Sequence, residues 1–476
     1  MHKKLFSDLG VIIAFNLLFK PIWILIDNAS QNEIGHYSYG MFTAAFSFTF
    51  LYYQILDMGI SPLITKHISL RGGQVQTLIQ NAFHSKLILS FLYSSLVLLM
   101  FFTSYNKPEL LKFVLISSLY HIFLSFYTWL RAVLQGLQRF KIDAFFSTLD
   151  KLLLILFLSY LYLQKKMSID NYAYSFLLSA AISLLILLFY FWVNFKFRTF
   201  TVSFAGVYSL LVGTIFLALV NILFAFNDRL VFVLIEGKSS FSDTGLYFAS
   251  YRWVNAISTY IWTVLPYFYA KFSYEYTLKD YHNDFSFHIK HLLTFIPVLL
   301  VAAFIFTRGE VLFWQLKKST NEELTIMKNL LSIQMIGLLI NSWLTIFGTF
   351  LNATNNERLV FYVLLIGTVI NYVSIYYGLE YFGVYGAAWA GVFFYCLIGF
   401  GFYGFFKSRN PYQYLPKHIV SQFISIVIFI VSCFFIKKFS LPILVPEIIS
   451  VLLFFVSMFL LGELRPNMFR ELFKQM

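Results

Sequence analysis

Charge is scarce in this chain: 12% of its 476 residues are Asp, Glu, Lys or Arg, about half the share of an ordinary soluble domain. Cysteine is scarcer. Cys396 and Cys433 both lie in apolar runs, which excludes a disulfide framework and a cysteine-rich metal cluster. Long polar segments are missing too, so no loop is large enough to be a domain. No acidic pair stands on a sizeable loop, the histidines are scattered, and no serine sits in a nucleophile elbow. A catalytic constellation, a metal site and a bound cofactor are therefore not expected. The opening MHKKLFSDLG carries two lysines before an apolar stretch, but no small-residue cleavage pattern follows. The expectation is a retained first helix and not a signal peptide.

What fills the space is apolar. Hydrophobic residues make up 59% of the chain, with 59 Phe and 32 Tyr, and the mean hydropathy is +0.74. Backbone groups inside lipid have no water to bond, so such a chain spans as helices or as a closed barrel. Continuous apolar runs of about 18–25 residues match a helix crossing about 30 Å of hydrocarbon, whereas barrel strands are shorter and alternate. The fold class expected is an all-α integral membrane protein of about fourteen transmembrane helices. Among the predicted spans are Leu9–Ile26, Tyr39–Ile60, Ala82–Phe102, Tyr208–Ile235, Leu246–Ala270, Asn329–Asn352, Leu359–Gly378, Val384–Phe406, His418–Ile436 and Ile443–Leu461. A surface helix is expected between Thr307 and Lys328, and a mid-chain linker from Lys271 to Lys290.

The net charge of +13 is assigned to topology and anionic lipid headgroups, not to nucleic acid. About 21 of the 35 basic residues fall on the side of both termini and about 11 on the other, so both ends are expected in the cytoplasm. A weak internal repeat divides the chain. Gly35-x-Tyr37 aligns with Gly245-x-Tyr247, and each follows a helix with a cation near its outer end, Lys20 and Arg229. An even number of intervening helices preserves direction, as in parallel-repeat transporters. The expected domains are an N-terminal six-helix lobe (1–200), a C-terminal six-helix lobe (201–410), and two additional helices with a tail (411–476).

Lys20, Arg229 and Arg252 stand out as cations inside apolar runs. Each lies roughly 9–11 Å from the outer end of its helix by helical rise. Facing lipid there costs at least about 2.5 kcal/mol, so the three are read as lining a cationic cavity. Snorkelling to the headgroups is the competing outcome. It is awkward for Lys20 and Arg229, whose side chains lean toward a cytoplasmic N-terminus, and easy for Arg252. Asn16, Tyr37, Tyr247 and Tyr251 are candidate polar and aromatic companions. Asp57 is expected to pair with Lys66 across a turn, Asp228 lies beside Arg229, and Asn221, Asn227, Gln334, Asn341 and Asn371 suit interhelical hydrogen bonds.

Several stretches, in order and spacing, resemble the polysaccharide flippases of the O-antigen (Wzx) type in the MOP/MATE superfamily. They are LLFKPIWILIDNASQNEIGHYSYG, LYYQILDMGISP, LRAVLQGLQRFKIDAFFSTLDKLLLI, FNDRLVFVLIEG, TGLYFASYRW and FGVYGAAWAGVFFY. The resemblance implies two six-helix lobes opening alternately to either side of a bacterial inner membrane. It implies an oligosaccharide on undecaprenyl pyrophosphate as cargo, flipped for surface polysaccharide or O-antigen synthesis. Carried onto this chain, it assigns Lys20, Arg229 and Arg252 to the pyrophosphate or acidic sugars and His418–Leu461 to the lipid tail. The partners implied are that glycolipid, membrane lipids and polysaccharide polymerase machinery, and a monomer is the simplest assembly. Two alternatives remain: a MATE-like multidrug or cation-coupled exporter, which would want carboxylates in its cavity, and a membrane lipid-sugar polymerase or transferase.

Overall fold

The computed structural model describes residues 22–69, 75–137, 139–194, 215–278, 284–314, 316, 318–354, 356–409, 416–436 and 445–463, and all regular structure among them is helical. Helix α1 covers residues 22–34, followed by α2 (His36–Leu51) and α3 (Ile60–Ser69). Then come α4 (Val75–Met100), α5 (Leu111–Gly136), α6 (Phe140–Leu163) and α7 (Ile169–Asn194). The later helices are α8 (Ile215–Lys238), α9 (Phe241–Leu278), α10 (Asp284–Arg308), α11 (Asn321–Ala353), α12 (Glu357–Arg409), α13 (Pro416–Ile436) and α14 (Val445–Leu460).

Eight described helices are long and apolar enough to cross a membrane. Large side chains stand bare on their outer faces, among them Phe91, Leu163, Trp192 and Phe382, each more than 70% exposed. Water would penalise so much uncovered apolar surface, and lipid does not. The multi-pass, all-helical expectation is met.

Four local expectations change. The span Tyr39–Ile60 is not one helix: α2 ends at Leu51, a 3₁₀ turn covers Tyr53–Leu56, and Met58 and Gly59 adopt positive φ before α3 begins. Asp57 is the cause. Its carboxylate accepts from the Ser61 amide (3.3 Å) and hydroxyl (2.5 Å), capping α3. Lys86 of α4 reaches Asp57 at 2.6 Å, while the side chain of Lys66, its expected partner, lies outside the described residues. Next, α11 starts at Asn321 and not at Asn329. Thr320 and Glu323 form a reciprocal capping box, Thr320 Oγ1 accepting from the Glu323 amide and Glu323 Oε2 from that of Thr320. The expected surface helix shrinks to a 3₁₀ turn, Gly309–Phe313. The mid-chain linker is likewise mostly helix, α9 running on to Leu278 and α10 starting at Asp284. Leu359–Gly378 and Val384–Phe406, by contrast, stand as two helices as expected: α12 is divided at Gly383, whose φ of 58° and ψ of −146° break it.

The helices gather into two compact units. One comprises Met1–Arg252, Gln315–Glu323 and Glu357–Ala390, the other Trp253–Trp314, Leu324–Asn356 and Gly391–Met476. In the first, buried aromatic and aliphatic residues of α2, α4, α5, α6 and α7, such as Phe42, Tyr93, Phe113, Leu158 and Tyr172, form a continuous core. In the second, Phe287, Phe347 and Phe350 surround Phe406, with ring centroids about 5 Å apart.

Within the first unit, α2 and α9 touch backbone to backbone at their N-terminal ends. A Cβ on Gly40 would lie 1.7 Å from the Phe241 carbonyl oxygen, and one on Gly245 2.4 Å from that of His36. Only glycine permits that approach. Gly40→Ala and Gly245→Ala should each destabilise the protein by about 1–3 kcal/mol, the usual range of overpacking. Gly237→Ala, where a Cβ meets nothing, should be neutral or stabilising by up to about 1 kcal/mol. Melting midpoints in detergent check this, and equal behaviour of the three variants would refute the close contact.

Candidate functional site

In the first unit, α1, α2, α8 and α9 carry two buried arginines, Arg229 and Arg252, and the groups that meet them. Asp27 and Gln31 stand one turn apart on α1, and Gly245, Phe248 and Arg252 follow each other along one face of α9. Arg252 Nη1 lies 3.0 Å from Asp27 Oδ2, and Nη2 donates to Gln31 Oε1. Gln31 Nε2 in turn donates to the Gly245 carbonyl (3.0 Å) and to His36 Nδ1 (2.8 Å). Asp27 Oδ2 also accepts from Tyr39 (2.9 Å), and Oδ1 accepts from Tyr172 of α7 (2.5 Å). The Arg252 guanidinium lies over the rings of Tyr39 (5.1 Å) and Phe248 (5.7 Å). Asp27 is 1% exposed and Arg252 5%.

Outside this knot, Lys318 pins the start of α11 to the α1–α2 turn. Its amide donates to Asn32 Oδ1 at 2.9 Å, and its ammonium lies 2.8 Å from Glu33.

Arg229 is held differently. On α8, one turn before Phe232, its guanidinium faces the rings of Phe50 (4.7 Å), Phe232 (5.8 Å) and Tyr251 (5.9 Å). Asp228 approaches Nε at 3.1 Å and also accepts from the Tyr251 hydroxyl. Nε and Nη1 are nonetheless buried with no hydrogen-bond partner among the described residues. Cation–π contacts contribute about 0.5–2 kcal/mol each, while desolvating an ion costs several kcal/mol. The rings alone do not offset that cost, and the Asp228 side chain is 37% exposed and so screened. Arg229 is therefore a cation with donors to spare.

Arg252 also keeps Nε and Nη1 without a hydrogen bond among the described residues, but its carboxylate partner Asp27 is buried where Asp228 is 37% exposed. The two centres are joined by aromatic rings, Tyr39 to Phe248 (6.0 Å), Phe248 to Phe232 (5.3 Å) and Phe232 to Tyr251 (5.1 Å). The arrangement offers an anion the Arg229 guanidinium beside flat apolar and phenolic faces that suit sugar rings.

Of the residues expected in the site, Arg229, Arg252 and Tyr251 come together here. Tyr247 is buried edge-on against Phe232 (5.6 Å), and Tyr37 is exposed with an edge contact to Phe241. Lys20 and Asn16 lie outside the described residues. Asn227 and Asn371 do bond between helices, Asn371 Nδ2 donating to Asn227 Oδ1 (2.9 Å) while Asn227 donates to Thr368 (2.6 Å).

Sequence reasoning missed two partners. Asp27 lies just beyond the predicted span Leu9–Ile26, yet it sits within α1 and pairs with Arg252. Lys86, fully buried between Asp57 and Ser125 (2.8 Å), lay inside the span Ala82–Phe102 and met the same test that singled out Arg229.

Comparison with known proteins adds the following. A family model described as polysaccharide biosynthesis protein matches residues 6–269. No curated protein matches. Among solved structures, the lipid II flippase MurJ in an inward closed conformation aligns with a TM-score of 0.71 at 14% identity, covering 97% of this chain and 99% of that one. An inward-facing MATE family multidrug resistance transporter of the MOP superfamily aligns at 0.65 and 14%, covering 84% and 98%. A MOP superfamily transporter from Pyrococcus furiosus aligns at 0.61 and 15%, covering 86% and 95%. These likenesses show a MATE-like fold.

Breaking a buried ion pair from one side costs about 3–5 kcal/mol because the abandoned charge stays buried. Asp27→Asn and Arg252→Gln should each lose stability on that scale, and the double variant should lose far less than their sum. A double-mutant cycle on unfolding in detergent measures this, and additive losses would dissolve the pair.

Proposed function

The chain belongs to the family of polysaccharide biosynthesis proteins, and from that premise we propose that it is a flippase for a lipid-linked oligosaccharide. The cargo is a sugar repeat unit on undecaprenyl pyrophosphate, carried from the inner to the outer leaflet of a bacterial inner membrane for surface polysaccharide or O-antigen. The observation that carries this reading is Arg229, a membrane-buried guanidinium whose neighbouring carboxylate, Asp228, is 37% exposed and so answers its charge weakly. An anion has reason to come there, and a pyrophosphate offers planar, bidentate acceptors to a guanidinium.

In this reading Arg229, together with Lys20, binds the pyrophosphate. Tyr251 and Phe50 flank the first sugars. Arg252 holds α1, α2, α7 and α9 in register through Asp27 and acts on cargo through that positioning. The prenyl tail stays in lipid along α13 and α14, where Val420, Ile424, Val427 and Val431 form an exposed apolar stripe. Pyrophosphate and sugars cannot cross about 30 Å of hydrocarbon unaided, and a polar path lined by cations lowers that barrier. Alternating access by lobes 1–200 and 201–410, with 411–476 appended, supplies the movement. The protein works as a monomer with cytoplasmic termini and hands its product to polymerase machinery.

A MATE-like cation exporter shares the fold. Here, though, Asp27 and Asp228 both face arginines and tyrosines, which leaves little negative charge for a cationic drug.

Depleting the protein should trap an unaltered lipid-linked oligosaccharide on the cytoplasmic leaflet. Arg229→Ala or Lys20→Ala should restore crossing at about a tenth of the wild-type rate or less, as loss of one charge-assisted contact implies. Sidedness assays in inverted vesicles read this directly. Unchanged sidedness after depletion would exclude flipping and bring drug export or lipid-sugar enzymology forward.

A further inference from the structure

Histidine is scattered along the sequence, yet the second unit brings two of them onto one carboxylate. Glu463 follows α14. The helix ends in a Schellman turn: Gly462 takes a φ of 78°, its amide donates to the Phe459 carbonyl (3.0 Å), and the Glu463 amide donates to that of Met458 (2.9 Å). This fixes Glu463 against the helix end, with its carboxylate 1% exposed.

His418 comes from the first turn of α13, which Pro416 opens. His288 comes from the first turns of α10. His418 Nδ1 lies 2.9 and 3.0 Å from the two carboxylate oxygens of Glu463, and His288 Nε2 lies 3.9 Å from Oε2. The imidazole rings are 5.2 Å apart at 50°. One donor atom from each of the three residues lies within 4.8 Å of the others.

A tetrahedral ion with bonds of about 2.1 Å separates its ligand atoms by about 3.4 Å. The two distances to Glu463, 2.9 and 3.9 Å, bracket that value, and the remaining edge is within 4.8 Å, so side-chain shifts of about an ångström close the set. The three donor atoms face one another at one end of α10, α13 and α14, and a single shared cation would engage all three at once.

We propose that His288, His418 and Glu463 form a divalent transition-metal site. Two imidazoles and a carboxylate suit Zn²⁺ and its neighbours, and do not suit Mg²⁺ or Ca²⁺, which prefer oxygen ligands alone. The His418 side chain is 30% exposed and provides the access route, and a water completes the fourth position. The ion ties α10 to the α13–α14 pair at one end of these helices, so it is a clamp and not a catalyst.

The test uses tag-free full-length protein in detergent, stripped with chelator and titrated with Co²⁺. One equivalent should bind with the intense visible absorption of four- or five-coordinate Co²⁺, and Zn²⁺ should bleach it stoichiometrically. X-ray absorption of the Zn²⁺-loaded protein should give two imidazoles in the shell. Glu463→Gln or His288→Ala should weaken binding more than the about 10–100-fold that losing an outer-shell partner costs. Zn²⁺ should raise the melting midpoint of the wild type and not of these variants. The proposal fails if wild-type protein takes up no stoichiometric Co²⁺, if the spectrum is that of hexa-aqua Co²⁺, or if His288→Ala/His418→Ala binds as tightly as wild type. The wild-type titration and X-ray absorption decide the matter even where a variant does not fold.

Discussion

A charge buried among apolar helices must find an opposite charge, and the Asp27–Arg252 pair is where this chain meets that constraint most fully. Two ions below about a twentieth exposed would each cost several kcal/mol if left alone. Tyr39 and Tyr172 donate to the carboxylate, and Gln31 accepts from the guanidinium. Because those groups come from α1, α2, α7 and α9, satisfying one carboxylate fixes four helices in mutual register. The Gly40 and Gly245 contacts make the geometry accessible by letting α2 and α9 approach to backbone distance.

Against that closed knot, Arg229 gains its meaning. It sits behind the same aromatic bridge with less of its charge answered, its rings and exposed Asp228 falling short of the desolvation cost. The contrast separates two roles that look identical in sequence. In the proposed function, Arg252 with its buried carboxylate holds the architecture and Arg229 receives the visiting anion. The lipid-facing residues, such as Phe91 and Trp192, do neither, and their exposure follows from the apolar solvent around them.

Much of the fold was legible because the bilayer imposes a length and a composition on every span. The breaks were harder to read where a single polar side chain overrides an apolar run. Asp57 stops α2–α3 from being continuous by capping α3, and Thr320 with Glu323 starts α11 early. Both are capping signals that hydropathy does not weigh. The cations Arg229 and Arg252 stood out because charge is rare in spans, but their partners did not. Asp27 and Arg252, or His288, His418 and Glu463, are brought together by tertiary folding across long stretches of chain, and nothing in their spacing encodes the meeting. Lys86 is the exception. It was visible by the same rule as Arg229, and its fully buried bond to Asp57 shows that an intramembrane cation is as apt to be structural as functional.

The central claim is that this protein itself carries a pyrophosphate-linked glycan past Arg229. The most direct measurement reconstitutes the purified chain into liposomes holding a fluorescent undecaprenyl-pyrophosphate oligosaccharide and follows its exposure to an external quencher. The account predicts that wild-type protein equilibrates the lipid between leaflets while Arg229→Ala, equally well folded, leaves the inner pool protected. Equal rates for the two proteins, or for empty liposomes, would contradict it.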